Sequence, residues 1–352
     1  MLNRSFRFTT KIQNAHEMLH FHISDSAPSG WDDFVNEEGG NFFLAKDWND
    51  VLRKGFTTPS IYAFLLEGEK IILGISGTVF NLGFIRLFFS QVPYGGFIGD
   101  AKYIELFLGC LEKGLAERGV HQIRIARLGA DSYPDLPGYT QKKACQYGMD
   151  LQGKSINSLW EGYRKNTRRD VSRAKRLGVT VREIKNRAEL KVYYQLYQQT
   201  MKRNASICHY TLKLYEAIYD EFVCSGRGSL LFSEYEGKIV AGAILLFGDD
   251  VTYLLGHVSD PEYLKKGPND LLYQRCITDV LERNHQTFDL MTCDLHDEKL
   301  MFFKQKWGAE QCEFSIFLKS ISPIRCYVWS TAWKLAQSKL GRYFVSIFFN
   351  RA

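Results

Sequence analysis

The sequence predicts an α/β protein made of two similar halves, residues 18–150 and 179–319. In each half a Glu-Gly turn, at residues 67–68 and again at 236–237, separates two apolar runs of strand length. Another short apolar run and an amphipathic helix follow in both halves. Related phrases come next, LAERGVHQIRIAR in the first half and LERNHQTFDLMT in the second. This self-similarity predicts a duplicated unit of strands and helices.

In the first half, alternating apolar residues predict strands and 3.6-residue periodicity predicts helices. The predicted order is strand 19–23, helices 31–36 and 46–55, strands 61–66, 70–80 and 84–89, helix 103–118 and strand 121–126.

A basic segment that ends at Gly178 predicts a helix between the halves. The second half then repeats the pattern, with tight turns between its three central strands and Pro268-Asn269 at a helix start. The predicted order is strand 179–184, helices 188–203 and 212–224, strands 229–235, 238–247 and 251–257, helix 268–283, strand 287–291, helix 298–306 and strand 311–318.

The composition is that of an ordinary globular protein, with 45% hydrophobic and 14% aromatic residues among 352. There is no uninterrupted apolar run long enough to span a membrane, and the N-terminal MLNRSFRFTTKI lacks an apolar signal region. Eight cysteines occur without a C-x-x-C pair, which is typical of reduced thiols. We therefore expect a cytoplasmic protein.

Seven basic residues and one acid, Asp170, lie between Arg164 and Arg176. On a helix several of these cations fall three or four residues apart, on one face where guanidinium groups suit phosphate oxygens. We expect Arg168 and Arg169 to hold phosphates. The alternative is a helix face that is merely solvated.

The segment YRKNTRRDVSRAKRLGV resembles the signature of the Fem-type aminoacyltransferases, which are tandem GNAT proteins. Further matches occur in the family's order: VPYGGFIGD at 92–100, TMKR at 200–203, AGAILLF at 241–247, TYLLGHVS at 252–259, GPNDLLYQ at 267–274 and FFKQKWG at 302–308. The resemblance covers nearly the whole chain.

The resemblance implies a tandem duplicated GNAT fold with mixed, largely antiparallel sheets. Its expected parts are an N-terminal GNAT-like domain at 18–150, a basic linker helix at 151–178, a C-terminal GNAT-like domain at 179–319 and a basic, aromatic C-terminal helix at 320–352.

The family match implies that Phe303 and Lys304 belong to the catalytic site. Acyl transfer to an amine passes through a tetrahedral oxyanion, and a fixed ammonium beside that oxygen would stabilise it. We expect Lys304 to have this role and Asp294, with His296 nearby, to take the proton of the amine. A surface lysine and a turn-forming aspartate are the alternatives.

For the acceptor, the resemblance implies a turn formed by Tyr94, Gly95 and Gly96, with Asp100 orienting the incoming amine. Paired glycines also suit a tight turn that has no functional role. Arg203 and Tyr253 match further family positions around the acceptor.

Lys266, Gly267 and Asn269, in YLKKGPNDLL, are the expected donor-binding residues. GNAT enzymes that use acetyl-CoA present a glycine-rich loop whose N–H groups bind the pyrophosphate. Here that stretch has one glycine and a proline, which lacks an N–H. The donor is therefore expected to be an aminoacyl-tRNA or an acyl-CoA, with the first favoured, and no tightly bound cofactor is expected.

The segment 16–20 reads H-E-M-L-H and matches the H-E-x-x-H zinc-protease motif. It precedes a predicted strand and lacks an ordered third ligand beyond the nearby His22. We interpret it as a chance match and expect no metal site.

The tail at 320–352 carries five basic residues, seven Tyr, Trp or Phe residues and no acid. This composition suits an interfacial helix on an anionic membrane. A helix packed against the second copy or a dimer partner is the alternative.

Together these features predict a Fem-like acyltransferase at the inner face of the membrane or free in the cytoplasm. It would move an aminoacyl or acyl group onto an amine of a phosphate-bearing cell-envelope precursor, such as a peptidoglycan precursor. The alternatives are an acyl-CoA-dependent N-acyltransferase acting on a polysaccharide or small-molecule amine, and a non-catalytic nucleic-acid or membrane binding protein.

Overall fold

The computed structural model describes residues 8–14, 17–128, 136–204, 206, 208–293 and 297–337. The described chain divides into two compact units. The first unit is formed by the chain up to Ala144 together with Glu313–Leu335, and the second by Cys145–Cys312.

The first half of the chain supplies eight strands and three α-helices within the described residues. In order they are β1 (Phe8–Asn14), β2 (Glu17–Ser24), α1 (Trp31–Glu37), α2 (Lys46–Phe56), β3 (Ser60–Glu67), β4 (Lys70–Asn81), β5 (Arg86–Phe89), β6 (Phe97–Gly99), α3 (Ile104–Glu117), β7 (Gln122–Leu128) and β8 (Thr140–Asp150).

Two short linker helices follow, and then the second set of strands and helices. In order these are α4 (Ile156–Gly162), α5 (Lys165–Arg176), β9 (Thr180–Glu183), α6 (Leu190–Arg203), α7 (Leu212–Ile218), β10 (Gly228–Tyr235), β11 (Lys238–Phe247), β12 (Val251–Ser259), α8 (Pro268–Glu282), β13 (Thr287–Cys293), α9 (Glu298–Gln305), β14 (Glu310–Ser320) and α10 (Pro323–Gln337).

The strands of the first unit are ordered β1-β2-β3-β4-β5-β7-β14, and β6 pairs with β4. All neighbours are antiparallel except β5 and β7. Alternate residues such as Leu19, Phe21 and Ile23 of β2 are buried in the same core as Phe107 and Leu111 of α3. The alternate residues of the strand face the same side as the apolar face of the helix, and α3 therefore packs on the sheet.

The strands of the second unit are ordered β8-β13-β12-β11-β10-β9. Here the one parallel pair among the described strands is β12 with β13. Leu272 and Ile277 of α8 share a core with Ala243 and Leu245 of β11. Both units therefore repeat one plan, an antiparallel sheet followed by a helix and a strand in parallel pairing.

The strand that completes each sheet comes from the other half of the sequence. β14 pairs with β7 from Phe314 to Ser320, and β8 pairs with β13. The sequence analysis assigned segment 311–318 to the second half and did not predict β8. The first five residues of β8 are exposed or half-buried, and therefore give no apolar alternation in the sequence.

The expected single linker helix at 151–178 is wrong, because α4 and α5 are separate helices. Tyr163 ends α4 with an extended backbone, and its ring packs edge-on against Trp307 at 5.3 Å between centroids. Burial of this one aromatic ring turns the chain between the two helices. The other predicted helices and strands up to residue 319 agree with the structure to within a few residues, apart from 212–224, where α7 continues into a π-helical turn. The predicted C-terminal helix at 320–352 is described only as α10, and residues 338–352 lie outside the described residues.

Candidate active site

The two parallel strands of the second unit separate part of the way along their length. β12 pairs with β13 over three residues, the last pair being Tyr253 with Asp289. Beyond it, residues 254 and 256–259 of β12 remain paired with β11, and Thr292 and Cys293 of β13 remain paired with β8. The backbone edges of β12 and β13 therefore open into a wedge that could admit an extended ligand.

The corresponding separation in the first unit is filled by the chain itself. β5 and β7 also pair over three residues, but the chain after β5 stays beside β7. The N–H of Ser90 donates to the carbonyl of Arg124, and the N–H of Gly95 donates to that of Ala126, each at 2.9 Å. Of the two wedges, the one in the second unit is the better candidate for substrate.

β13 bends sharply at the mouth of its wedge. Met291 has a φ of 63°, which is unusual for a residue other than glycine. The carboxylate of Asp289 accepts the N–H of Met291 at 2.7 Å and so supports the bend. This strained backbone lies on the wall of the proposed wedge, as strain often does at functional sites.

Lys304 of α9 lies against the same bend. Its side chain is buried, with 3% of its surface exposed. The ammonium donates to the carbonyls of Met291 and Thr292, both at 3.0 Å. Burial lowers the pKa of Lys304. An ammonium carries three donors, so one N–H remains beyond these two backbone bonds, on a cation that also lies 5.5 Å from the centroid of the Tyr147 ring.

Phe303 and His257 form the other half of this region. The His257 ring on β12 stacks on Phe303 at 6.0 Å between centroids and meets Tyr273 of α8 edge-on at 5.0 Å. Burial lowers the pKa of His257 to about 4, so the imidazole is neutral at pH 7. The sequence analysis did not single out His257, although it lies in the family-like phrase TYLLGHVS.

Three polar atoms around this part of β12 are buried: Nε2 of His257, Oδ1 of Asn269 and the hydroxyl of Tyr193. The side chains of His257 and Asn269 act as hydrogen-bond partners of each other, whereas the Tyr193 hydroxyl bonds to no described group. Buried polar groups are normally paired, so the Tyr193 hydroxyl is suited to a bound polar group. Tyr253, expected near the acceptor, is buried on β12 two residues before the bulged part of the strand.

Arg203 and Asn269 meet at one serine. Nη1 of Arg203 donates to the carbonyl and hydroxyl oxygens of Ser259 at 3.1 and 3.2 Å. The amide of Asn269 donates to the same hydroxyl at 3.3 Å. The structure therefore brings together a residue expected at the acceptor and one expected at the donor, at the end of β12.

The start of α8 offers few backbone donors. Gly267 has a φ of 76° and its N–H donates to the carbonyl of Leu264 at 3.1 Å. Pro268 has no N–H, and the N–H of Asp270 donates back to Gly267. Among these described positions only the N–H of Asn269 makes no hydrogen bond within the chain. Lys266 donates to the hydroxyl of Tyr235 at 2.9 Å.

The basic face of α5 is largely in solvent. Arg169 is 71% exposed, and its guanidinium contacts the carboxylate of Asp170 at 3.2 Å. Arg168 is half-buried. Near the other end of α5, the close approach of Gly267 to Ala174 brings the helix against the start of α8. The cations of α5 therefore flank the expected donor-binding loop.

The acceptor residues expected in the first unit take different places. Tyr94 is fully buried and packs against Phe43 and Phe314. Gly95 has no room for a side chain, since an added Cβ would lie 2.1 Å from the carbonyl oxygen of Ser90. Gly96 has a φ of 105°. These three residues shape the segment that fills the first wedge.

Asp100 lies at the surface, where it caps a short 3-10 turn. Its carboxylate accepts the N–H of Lys102 at 3.0 Å and forms an ion pair with the ammonium of that residue at 3.0 Å. These bonds to Lys102 contribute to a pKa of Asp100 that is below its ordinary value. A carboxylate of this kind is ionised at neutral pH and could pair with an amine.

Two further predictions from the sequence involve residues that lie outside the described chain. Asp294 and His296 lie outside the described residues. In the H-E-M-L-H segment His16 is also outside them, and Glu17 and His20 lie in β2. A strand does not place residues four apart on adjacent helical turns, as the zinc motif requires. No cluster of three or more metal-binding side chains occurs within the described residues.

The comparisons with known proteins agree with this architecture. Residues 161–304 match the family described as the acetyltransferase (GNAT) domain. This segment contains α5, both strands of the open wedge and Lys304. No curated protein matches the chain in sequence.

Several solved structures have a similar fold. The crystal structure of FemX superposes with a TM-score of 0.62 at 15% identity, covering 81% of this chain and 94% of FemX. The structure of L-PGS from Bacillus licheniformis gives 0.55 at 15% identity, with coverages of 85% and 94%. A tandem GNAT protein from the clavulanic acid biosynthesis pathway gives 0.56 at 10%, with coverages of 86% and 98%.

The chain therefore has the tandem GNAT fold with mixed, largely antiparallel sheets, and its second half carries an acyltransferase domain of the GNAT type. The resemblance to the Fem-type fold predicted from the sequence motifs is confirmed.

Proposed function

We propose that this acyltransferase moves an aminoacyl or acyl group onto an amine of a phosphate-bearing cell-envelope precursor. The amine nitrogen attacks the carbonyl carbon of the donor ester and a C–N bond forms. The C–O bond to the donor breaks, the amine loses a proton, and the departing oxygen gains one. The donor we favour is an aminoacyl-tRNA, in which that oxygen belongs to the terminal ribose.

The observation that carries this proposal is the open wedge between β12 and β13 with the ammonium of Lys304 against its wall. A buried, fixed cation with one remaining N–H is suited to an oxyanion that forms only during the reaction. The bonds to Met291 and Thr292 hold the ammonium in place before substrate binds. Such preorganisation avoids the reorganisation that water would require.

The start of α8 supports the choice of donor. A pyrophosphate bound at a helix start needs several free N–H groups, and here only Asn269 supplies one among the described positions around Gly267. This arrangement is poor for coenzyme A. Arg173 of α5 acts electrostatically on Lys266 of the same loop. These two cations favour a polyanionic donor, because phosphate contacts provide most of the affinity for nucleic acids.

The relatives support the choice of acceptor class. One neighbour at 13% identity is described as the C-terminal domain of a putative lysylphosphatidylglycerol synthetase from Agrobacterium fabrum, with a TM-score of 0.55. The name of that protein describes a product in which an aminoacyl group is attached to a phosphate-bearing lipid. We infer that Arg168 and Arg169 have the corresponding task here, binding the phosphates of the acceptor.

A membrane-linked acceptor agrees with the exposed surface of α10. Ile324, Tyr327, Val328 and Leu335 are 80%, 73%, 49% and 64% exposed, and their spacing places them on one side of the helix. No helix among the described residues has the length and apolarity to cross a bilayer. We propose that α10 docks the protein on an anionic membrane surface.

The other side of α10 packs on the first unit. Cys326 is buried with Ile85 and Leu87, and Trp329 contacts Phe84 at 6.2 Å between ring centroids. The packing alternative predicted from the sequence named the second copy, and the contacts of α10 are instead with the first. These contacts leave the apolar outer face available for the proposed docking.

A transfer assay with four substrate combinations tests the proposal. Aminoacyl-tRNA and acetyl-CoA serve as donors, and a nucleotide-linked muropeptide and the same peptide without phosphates serve as acceptors. We expect product only with aminoacyl-tRNA and the phosphorylated acceptor. Product with acetyl-CoA alone would favour the acyl-CoA-dependent enzyme, and no product in any combination would favour a binding protein.

A further inference from the structure

We propose that the second unit contains a separate binding pocket for an organic phosphate, at the junction of α4 and α5. The pocket has a volume of about 430 Å³, which is within the usual range for small-molecule sites. It lies between the end of α4 and the turn that follows α9, with Tyr163 and Trp307 in its lining.

The charge of the lining is entirely positive. Lys154, Arg164 and Lys306 line the pocket, and no acidic residue does. Lys306 pairs with Asp270, and Lys154 donates to the backbone carbonyl of Asp150 at 2.6 Å. The guanidinium of Arg164 makes no ion pair within the described chain. Arg164 is therefore the cation best able to bind an incoming anion.

Two uncharged donors in the lining also lack partners. The hydroxyl of Tyr163 and the indole N–H of Trp307 are buried, and neither bonds to a described group. The two side chains are 6% and 0% exposed. Since leaving a buried donor unpaired is unfavourable, a ligand oxygen that displaced the groups covering these two donors would satisfy them.

The backbone adds a third kind of donor. Arg164 is the N-cap residue of α5, a helix of 12 residues, and its side chain makes no capping bond. The N–H groups of Lys165 and Asn166 have no acceptor in the described chain, whereas that of Thr167 bonds to the side chain of Asn166. Uncapped helix starts attract phosphate through these groups and the helix dipole.

The lining also predicts the rest of the ligand. Leu159, Tyr163 and Trp307 form the apolar and aromatic part of the lining, and a lone phosphate ion would make no contact with that part. We infer a ligand that joins a phosphate to an apolar or ring-containing group. A phosphate is favoured over a carboxylate because its additional oxygens can accept from the guanidinium, the helix start and the tyrosine together.

Binding of phenyl phosphate to the full-length protein tests this pocket. Isothermal titration should give a measurable affinity for phenyl phosphate, and weaker binding of inorganic phosphate and phenylacetate. In ¹H–¹⁵N spectra the indole signal of Trp307 and the amide signals of Lys165 and Asn166 should shift. These binding measurements do not depend on activity. The proposal for this pocket can therefore be refuted without refuting the proposed transfer reaction, and the transfer reaction can be refuted without refuting the pocket.

Three variants complete the experiment. Arg164→Gln should weaken phenyl phosphate about tenfold or more, since bonds to charged groups contribute the larger share. Tyr163→Phe keeps the ring contacts and should weaken it severalfold. Arg176→Gln, an exposed change on the same helix but outside the lining, should have no effect. Equal binding by all variants, equal affinity for phenylacetate, or no binding of phenyl phosphate would overturn the proposal.

Discussion

Replacement of Lys304 tests whether its ammonium has a catalytic role or only a structural one. In Lys304→Met the carbonyls of Met291 and Thr292 lose their donor. A hydrogen bond to a charged group contributes about 1.5–3 kcal/mol, so the loss of these two bonds should cost roughly 3–6 kcal/mol of folding free energy. Against a typical stability of about 5–15 kcal/mol, most of the protein should still fold at low temperature.

Lys304→Gln is the informative companion. Its side-chain amide keeps two N–H donors for the two carbonyls, while the positive charge is removed. We expect Lys304→Gln to recover part of the stability lost in the methionine variant, and both variants to lose about 10²-fold or more in turnover. Lys299→Met, an exposed change on the same helix, is the control and should match the native protein.

Urea unfolding gives the stability, and kcat from the transfer assay is corrected for the folded fraction. The catalytic reasoning would be refuted if Lys304→Gln retained full turnover per folded molecule. The native enzyme adds a second check. Burial lowers the pKa of Lys304, so activity that depends on its ammonium should fall at a pH below the ordinary lysine range of about 10.4.

Three further predictions concern the surface and the core. Arg168→Ala combined with Arg169→Ala should weaken binding of the phosphorylated acceptor about 10- to 100-fold in calorimetry. The control variant Arg176→Ala should bind this acceptor as the native protein does. The double variant should bind the acceptor with and without its phosphates about equally well. The pKa of His257 in the folded protein is lowered to about 4. As pH falls, His257 is therefore protonated in the unfolded chain before it is protonated in the folded protein, and the free energy of unfolding should decrease by roughly 3 kcal/mol between pH 7 and pH 4. His257→Phe should flatten that pH dependence, and an unchanged urea midpoint profile would contradict it. Ile324→Asp should reduce sedimentation with anionic vesicles, and native protein that fails to sediment at low salt would count against membrane docking.

The repeated sequence was sufficient to predict most elements of the duplicated fold, but not β1, β6 or β8. Apolar alternation and turn residues depend on local spacing, and they located the strands from β9 to β13 to within a few residues. The exchange of β8 and β14 could not be predicted, because strand pairing depends on contacts between distant segments. The break at Tyr163 was also missed, since it follows from the packing of one ring on Trp307.

For the site, the motif FFKQKWG identified Lys304, and the structure adds its burial and its two carbonyl partners. Sequence could not give those partners, because they belong to a bend created by the positive φ of Met291. His257 had no distinct signal, since a lone histidine in an apolar strand is typical of a core position. Its contact with the side chain of Asn269 becomes evident only in the folded structure.

Amide hydrogen exchange with donor analogues most directly tests the claim that the open wedge of the second unit is the acyl-transfer site. A non-hydrolysable aminoacyl-adenosine is added to the full-length protein, with coenzyme A in a parallel sample. With the aminoacyl analogue, the account predicts slower amide exchange in residues 254–259 of β12 and around the β13 bend at Met291. It predicts no change in the exchange rates of β5 or β7. Protection confined to the first unit, or none in β12 and β13 with either compound, would contradict it.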